Sequence, residues 1–514
     1  MLRIVWGCCS RYGVRAWQPR LTPSKQRIWT SSVTTTSITP ASSAAQPRAE
    51  TTAARHWRVR VFGAALTLLA GGCGGSSIPD PAGGGSAGPT PVAATGDERD
   101  CLWLLNSQIN TLFPDTYANY WVALLAIPPG GAVEFDGRFP HARYMSYNLY
   151  DELLQPVDAL SDFEIQPHTG STNPFPAGAD RNAAARDYSV RLVAAVPPSD
   201  PAQRAANTLY SAQTVGTAQL PFNLAVVFYR VYVPDDGRDA TGDGGLPHIR
   251  FVMADGSALS GPGACNALDQ LSFLIPNLAD VPDLLADVPL NTAAFQNLLW
   301  LKFFSLQSSE ASRVYNTPLG PLVYETVGSP TSGGGGFASN RDNRYIYAAI
   351  SRQLGDLVAI HARFPDAPYT SDGRSPMPDG DMRYWSLCSN DANTLVSYAC
   401  LYDEQLLRDD QDRGVIVVSR SADRPDNATP ACGVNWLDWG PSDNGLLIYR
   451  NMLPLPQTQF PYAIQYVPGP PGQHEAEVMG PYYPYGAHMS RAAFEALGCP
   501  VSADALPSVV TPAP

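Results

Sequence analysis

The sequence predicts a mainly β protein built from two related β-sandwich, jelly-roll-like units with short helices between them. Three observations carry this expectation. First, one stretch is written twice: Tyr120, Gly130, Val133, Arg138, Phe139 and Pro140 recur as Tyr345, Gly355, Val358, Arg363, Phe364 and Pro365 in unbroken register. Further on, Arg143-Tyr144-Met145-Ser146 answers to Arg383-Tyr384-Trp385-Ser386, and Tyr229, Arg230 and Pro234 answer to Tyr449, Arg450 and Pro454. Internal repetition of this kind means duplicated architecture. Second, the segments around these motifs are short, rich in Val, Tyr and Phe, and bounded by Gly, Pro, Asp and Asn, as strands between turns are. Third, the alternation Tyr188-Ser189-Val190-Arg191-Leu192-Val193 describes a strand with one wet face.

A chain of 514 residues is too long for one core. Its first stretch stands apart: residues 1–72 hold ten Lys and Arg against one acid, Glu50. There Arg55, Arg58 and Arg60 precede a short apolar run, followed by Gly71-Gly72-Cys73. A basic flank, an apolar segment and small residues before a processing point describe a secretory signal, too short to span a bilayer, which needs roughly 20 apolar residues. The string LLAGGC resembles a bacterial lipobox, which implies cleavage before Cys73 and lipidation of its thiol. Residues 1–73 are therefore read as an N-terminal extension with a lipoprotein signal. The expected location is the cell envelope, lipid-anchored to a bacterial membrane, at the outer membrane or cell surface.

Beyond residue 73 the remaining 24 basic and 46 acidic residues leave a net charge near −22, which disfavours phosphate backbones and hence nucleic acid as a partner. Six later cysteines, Cys101, Cys265, Cys388, Cys400, Cys432 and Cys499, are an even set in an exported chain and read as disulfide partners. Their pairing stays open, since six cysteines allow 15 connectivities.

Residues 74–98 are Gly/Pro/Ser/Ala-rich and read as a flexible tether. The first sandwich unit is expected over 99–264. It opens on a short helix between 101 and 127, suggested by the spacing of Leu102, Leu105, Ile109 and Leu112. Strands are expected over 132–136, 142–150, 188–194 and 224–233. Residues 265–330 carry Leu, Ala and Phe at helical spacing broken by Pro276, Pro282 and Pro289, and are read as a helical connection. A linker follows over 331–342. The second unit, 343–499, is expected to hold strands at 357–362, 382–387, 396–402, 414–419 and 445–452, before a tail over 500–514.

The strings RYWSLCSND (383–391), GVIVVSRSADRPDNAT (414–429), GVNWLDWG (433–440) and LLIYRNMLP (446–454) have degenerate counterparts in the first half: RYMSYNLYD, YSVRLV and VVFYRVYVP. Together they resemble a family of uncharacterised bacterial lipoproteins with duplicated β-sandwich domains. The resemblance spans roughly residues 101–499 and implies a fold, not an activity.

Residues that recur in both halves read first as scaffold, since one active site seldom needs its residues twice. Arg143 and Arg383 are such a pair, expected to brace loops, with ligand clamping as their second role. Unrepeated features are better candidates. The loop 235–245 places Asp235, Asp236, Asp239 and Asp243 among glycines, where closely spaced carboxylates could enclose Ca²⁺; no other cofactor is implied. The insertion 369–381, with Asp372 and Arg374, is expected to rim a site beside the Arg383 strand. His141, close to Arg143, is the histidine singled out for function. Trp436, Trp439 and Tyr483 offer flat rings for sugars or apolar ligands. No nucleophile elbow or phosphate-cradling loop occurs. The leading expectation is a binding or structural protein for a glycan or apolar ligand. The rival is a hydrolase using carboxylates or a metal in a cleft between the halves.

Overall fold

The computed structural model describes residues 102–103, 110, 112–151, 154, 156–215, 218–261, 295–303, 338–392, 394–469 and 471–510. Cys73, the tether 74–98, Cys101, Cys265 and most of the expected helical connection lie outside the described residues.

The first half runs β1 (Ala118–Ala126), β2 (Ala132–Arg138), β3 (Ala142–Tyr150), β4 (Pro156–Ser161), β5 (Asp187–Val193), β6 (Thr208–Tyr210), β7 (Ala212–Val215), β8 (Ala218–Pro221), β9 (Leu224–Pro234), β10 (His248–Val252) and β11 (Ala258–Ser260). Its two main sheets have the orders β1-β9-β3-β4 and β11-β10-β2-β5-β6, while β7 and β8 form a separate hairpin. Period-2 alternation sets what lies between the sheets. Trp121, Tyr147, Leu149, Tyr229 and Val231 from one sheet meet Val133, Phe135, Tyr188, Val190 and Ile249 from the other in one buried cluster.

The second half runs β12 (Leu301–Phe303), β13 (Asn343–Ser351), β14 (Leu357–Arg363), β15 (Met382–Asn390), β16 (Ser397–Tyr402), β17 (Arg413–Ser419), β18 (Val434–Asp438), β19 (Asn444–Pro454), helix α1 (Glu475–Met479), β20 (Tyr485–Met489) and helix α2 (Arg491–Glu495). Its sheets have the orders β12-β13-β19-β15-β16 and β18-β17-β14-β20. The pairings echo the first half. β3 pairs β9 as β15 pairs β19, and β5 takes β6 in parallel as β17 takes β18. Strained backbone recurs as well. Val233 and Leu453, next to last in the matching strands β9 and β19, stand at φ 47° and 45°, a region that non-glycine residues seldom enter.

Two expectations are corrected. The helix expected between 101 and 127 gives way from Ala118 to strand β1, which pairs along its whole length with β9. β-branched and aromatic residues in that stretch, Tyr120, Trp121 and Val122, favour the pleat. The segment expected to be helical over 265–330 supplies strand β12, which pairs with β13.

Every residue of β3 is buried, because the strand is covered on both faces. Met145, Tyr147 and Leu149 enter the first core. On the reverse face Tyr144 joins Tyr232, Tyr384, Tyr402 and Met452 in a second cluster drawn from both halves. The contacts across this seam come in exchanged pairs. Arg143 bonds Asp403 while Arg383 bonds Asp162, 3.1 Å away. Arg230 donates to the Ala338 carbonyl at 2.5 Å and Arg450 to the Phe113 carbonyl at 2.6 Å. Tyr144 donates to Asp342 (2.7 Å) as Tyr384 donates to Asp115 (2.9 Å).

Candidate functional site

Most of the charged residues singled out in the sequence come together where the first sandwich meets the 369–381 insertion. Arg143 is fully buried; its Nε donates to Thr370 Oγ1 at 3.1 Å and its two terminal nitrogens bond Asp403 and Glu404. Arg383 donates to Asp162, to the Arg143 carbonyl (3.2 Å) and to the Phe175 carbonyl (3.0 Å). Asp235 pairs with buried Arg181, which also holds the Thr370 and Arg374 carbonyls at 3.2 and 2.8 Å. Asp236 donates its N–H to the Ser371 carbonyl at 2.7 Å. The cluster is a joint between loops, with most of its polar groups engaged by one another.

His141 sits at the edge of this joint and accepts at Nδ1 from Arg186, 3.0 Å away. Burial, then the Arg186 charge, brings its pKa down to about 4, so the ring is neutral at ordinary pH.

The calcium cage expected at 235–245 is not formed. Asp239 Oδ1 accepts from the Thr241 N–H (2.8 Å), the Thr241 hydroxyl (2.6 Å) and the Asp243 N–H (2.9 Å). Asp243 pairs with Arg238 at 2.6 Å, and Asp235 faces Arg181. The carboxylates close their own turn rather than converge on a point, since short Asp side chains readily bond backbone N–H groups two residues on. Among the described residues, Asp115, Cys388 and Cys400 bring three metal-ligating atoms within 4.8 Å, but the two sulfurs are bonded to each other.

The ring platform is also redistributed. Trp439 and Tyr483 are buried in the second core. Trp436 is half-buried, bonded through Nε1 to Ser419 (3.0 Å) and covered by the Arg424 guanidinium 4.6 Å from its ring. Asp372 and Arg374 are exposed and pair with each other at 2.7 Å, with Arg374 lying over Tyr369. Rings beside apolar sheet faces bury more surface inward than outward, which is why these positions pack.

An uncovered surface remains elsewhere, on the outer face of β2, β5, β6 and β10. Their inward residues fill the first core, so alternation sends polar side chains out in two rows. Register aligns Arg250, Glu134, Arg191 and Thr208 across four strands in one row. The other row runs His248, Asp136 and Ser189. A depression of about 340 Å³ opens over the β2–β5–β6 side of these rows, lined by Glu134, His168, Ser189, Arg191, Asn207 and Thr208, among others. Its size is near the lower end of the small-molecule range, roughly 300–1,000 Å³.

The hydrogen bonds around it are ordered. Arg250 holds Asp136 at 2.8 Å and Glu134 at 2.7 Å. Ser189 donates to Asp136 at 2.6 Å, so its oxygen accepts from His168 Nε2 at 2.8 Å. Asn207 ties the rim by donating to the Gln166 and Ser189 carbonyls at 2.8 and 2.9 Å. The order Asp-Ser-His places the serine in the middle. A nucleophile of the serine-hydrolase kind needs imidazole in the middle, between hydroxyl and carboxylate. This row does not have that order.

The corresponding face of the second half is closed. Leu357, Ala359, Val415, Val417 and Val434 point outward there and are covered by Phe494, Val501, Ala503 and Leu506 from the chain's end. The Cys432–Cys499 disulfide fastens that cover.

No family model and no curated protein matches the chain. Among solved structures, an uncharacterized protein from Burkholderia cenocepacia is similar at a TM-score of 0.39 and 11% identity, covering 70% of this chain and 80% of that one. The VPA0106 protein from Vibrio parahaemolyticus is similar at a TM-score of 0.34 and 12% identity, covering 73% and 89%. Both neighbours are bacterial, and neither name states an activity.

The sequence reading did not gather this face. Its signal was partly present: alternation in β5 marked a wet side that includes Ser189 and Arg191. His168 and Asn207 come from separate loops, and only folding brings them to Ser189.

Proposed function

We propose that the chain is a binding protein of the bacterial cell envelope, lipidated at Cys73 and raised from the membrane by residues 74–98. Its ligand is a polar, hydroxyl-rich molecule of the glycan class, held on the outer face of β2, β5 and β6. The observation that carries this reading is the contrast between two matching faces: one sealed by apolar side chains, the other left open and lined with fixed donors and acceptors. Hydroxyl groups of a sugar both donate and accept, which suits a surface offering a guanidinium, carboxylates, an amide and an imidazole together. The chain has arisen, in this reading, by copying one sandwich, after which one copy kept its face open.

Calorimetry against a panel of neutral and acidic oligosaccharides tests the assignment. A binder should emerge, and its affinity should drop roughly tenfold, about 1.4 kcal/mol, in the Ser189→Ala, His168→Ala double variant. If no glycan in the panel binds, or a bound one ignores that variant, the reading fails. If the wild type consumes a bound glycan, binding is not its purpose and the hydrolase reading replaces it.

A further inference from the structure

We infer that the ligand carries a carboxylate and that Arg191 is its anchor; the inference rests on the glycan-binding reading above and narrows its ligand class. The charges around the depression are unequal in their commitments. Glu134 and Asp136 are both held by Arg250, whose guanidinium bridges them along its edge. Asp136 also accepts from the Ser189 hydroxyl, and Ser189 accepts from His168 Nε2. Arg191 stands beside Glu134 in register, yet Glu134 turns the other way, toward Arg250 on β10. The Arg191 side chain is exposed at the depression and, among the described residues, meets no carboxylate.

A guanidinium offers parallel N–H donors in a plane that match the two oxygens of a carboxylate. Around Arg191 the depression is lined by His168, Ser189 and Thr208, with the Asn207 amide fixing the rim. Because Ser189 donates to Asp136, His168 Nε2 donates to Ser189, and Nδ1 is the ring nitrogen left for a ligand hydroxyl. The site thus joins Arg191 to a run of hydrogen-bonding groups, with Glu134, the carboxylate in its lining, already held by Arg250.

The net charge narrows the class further. Near −22 beyond residue 73, the protein repels a dense polyanion at long range. A single carboxylate in an otherwise neutral saccharide escapes most of that repulsion, because charges more than about 8 Å away are largely screened at physiological salt while Arg191 is met at contact. The ligand is accordingly a saccharide bearing an isolated carboxylate, for which a hexuronate serves as the probe, rather than a uniformly charged polymer.

The test uses the full chain with Cys73 replaced by Ser for solubility. Titration compares an oligosaccharide containing one hexuronate with the same compound after its carboxyl is reduced to the alcohol. The acidic form should bind at least tenfold tighter. Arg191→Gln should bring the affinity for the acidic form down to no more than that for the reduced form, and Arg191→Lys should restore only part of the difference. Arg191 is exposed, so the melting temperature of both variants should match that of the starting protein. Equal binding of the two forms, or an acidic-form affinity indifferent to Arg191→Gln, overturns the carboxylate anchor while the glycan reading stands. Binding of neither form by the starting protein, across the wider panel as well, overturns both.

Discussion

Arg143 and Arg374 lie close together in the fold and are opposite in character. Arg143 is buried with Asp403 and Glu404 as its ion partners, and Tyr384 and Tyr402 face its charge at 5.9 and 5.7 Å. Removing it strands two acids in a dry seam. Arg143→Ala should therefore cost about 3–5 kcal/mol in urea unfolding, whereas Arg374→Ala, on an exposed pair, should leave the midpoint unchanged. A small loss for Arg143→Ala would show that water reaches the seam. Asp162 makes a second residue-scale prediction. Burial pushes its carboxyl up to about 7, although Arg383 draws it down, and its Oδ1 has no partner and is free to carry the proton. In the unfolded chain the group titrates near 4. Between these values the folded state holds a proton that the unfolded state has released. Stability from this group is therefore full below about pH 4, declines as pH rises, and is lost above about 7. Melting temperatures across that window should fall with pH, and Asp162→Asn should flatten the slope; parallel curves for the two proteins would refute the assignment.

At the scale of elements, the C-terminal cover decides which face of the molecule is open. Phe494 on α2 is wholly buried against the outer face of β14, β17 and β18. Its cover is fastened by Cys432–Cys499, which closes a span of 67 residues. Replacing both cysteines by Ser should lower stability by about 4 kcal/mol in the chain-entropy picture. Hydrogen exchange should rise in residues 491–506 and stay unchanged in β2 and β5; uniform protection would mean that packing alone holds the cover. The other described bond, Cys388–Cys400, joins directly paired positions of β15 and β16. The strands around the repeated motifs were legible in advance because alternation and bounding turns are local properties. β1 was misread, since the helix was expected from apolar spacing that lies upstream of it, whereas Ala118–Ala126 pairs with β9.

For the whole molecule, the seam between the halves is the controlling feature. Tyr232 meets Tyr384 edge-on at 5.4 Å, with exchanged arginine contacts on either side. Such a seam should make the halves unfold together. A Tyr144→Ala, Tyr384→Ala double variant should split one calorimetric transition into two; a single lower transition would mean that neither half folds alone. The proposed anchor belongs to this scale too. Among the described residues no helix is long and apolar enough to cross a membrane. Lipid at Cys73 should hold the protein in the detergent phase, and Cys73→Ser should release it to the aqueous phase. Membrane attachment that survives the substitution would remove the tether from the account.

Pattern along the chain determined the β class, the repeated motifs and the strands carrying them, because pleat periodicity and turn residues act between near neighbours. It also matched Arg143 with Arg383 as equivalent positions of one repeated motif. Which arginine grips which half, which aromatic rings are buried and which sheet face stays open were decided only by tertiary packing. His168 and Ser189 lie on different segments, and Phe494 is far in sequence from the β14 face that it seals. Such contacts depend on how distant surfaces meet, and no local property of the chain encodes that meeting.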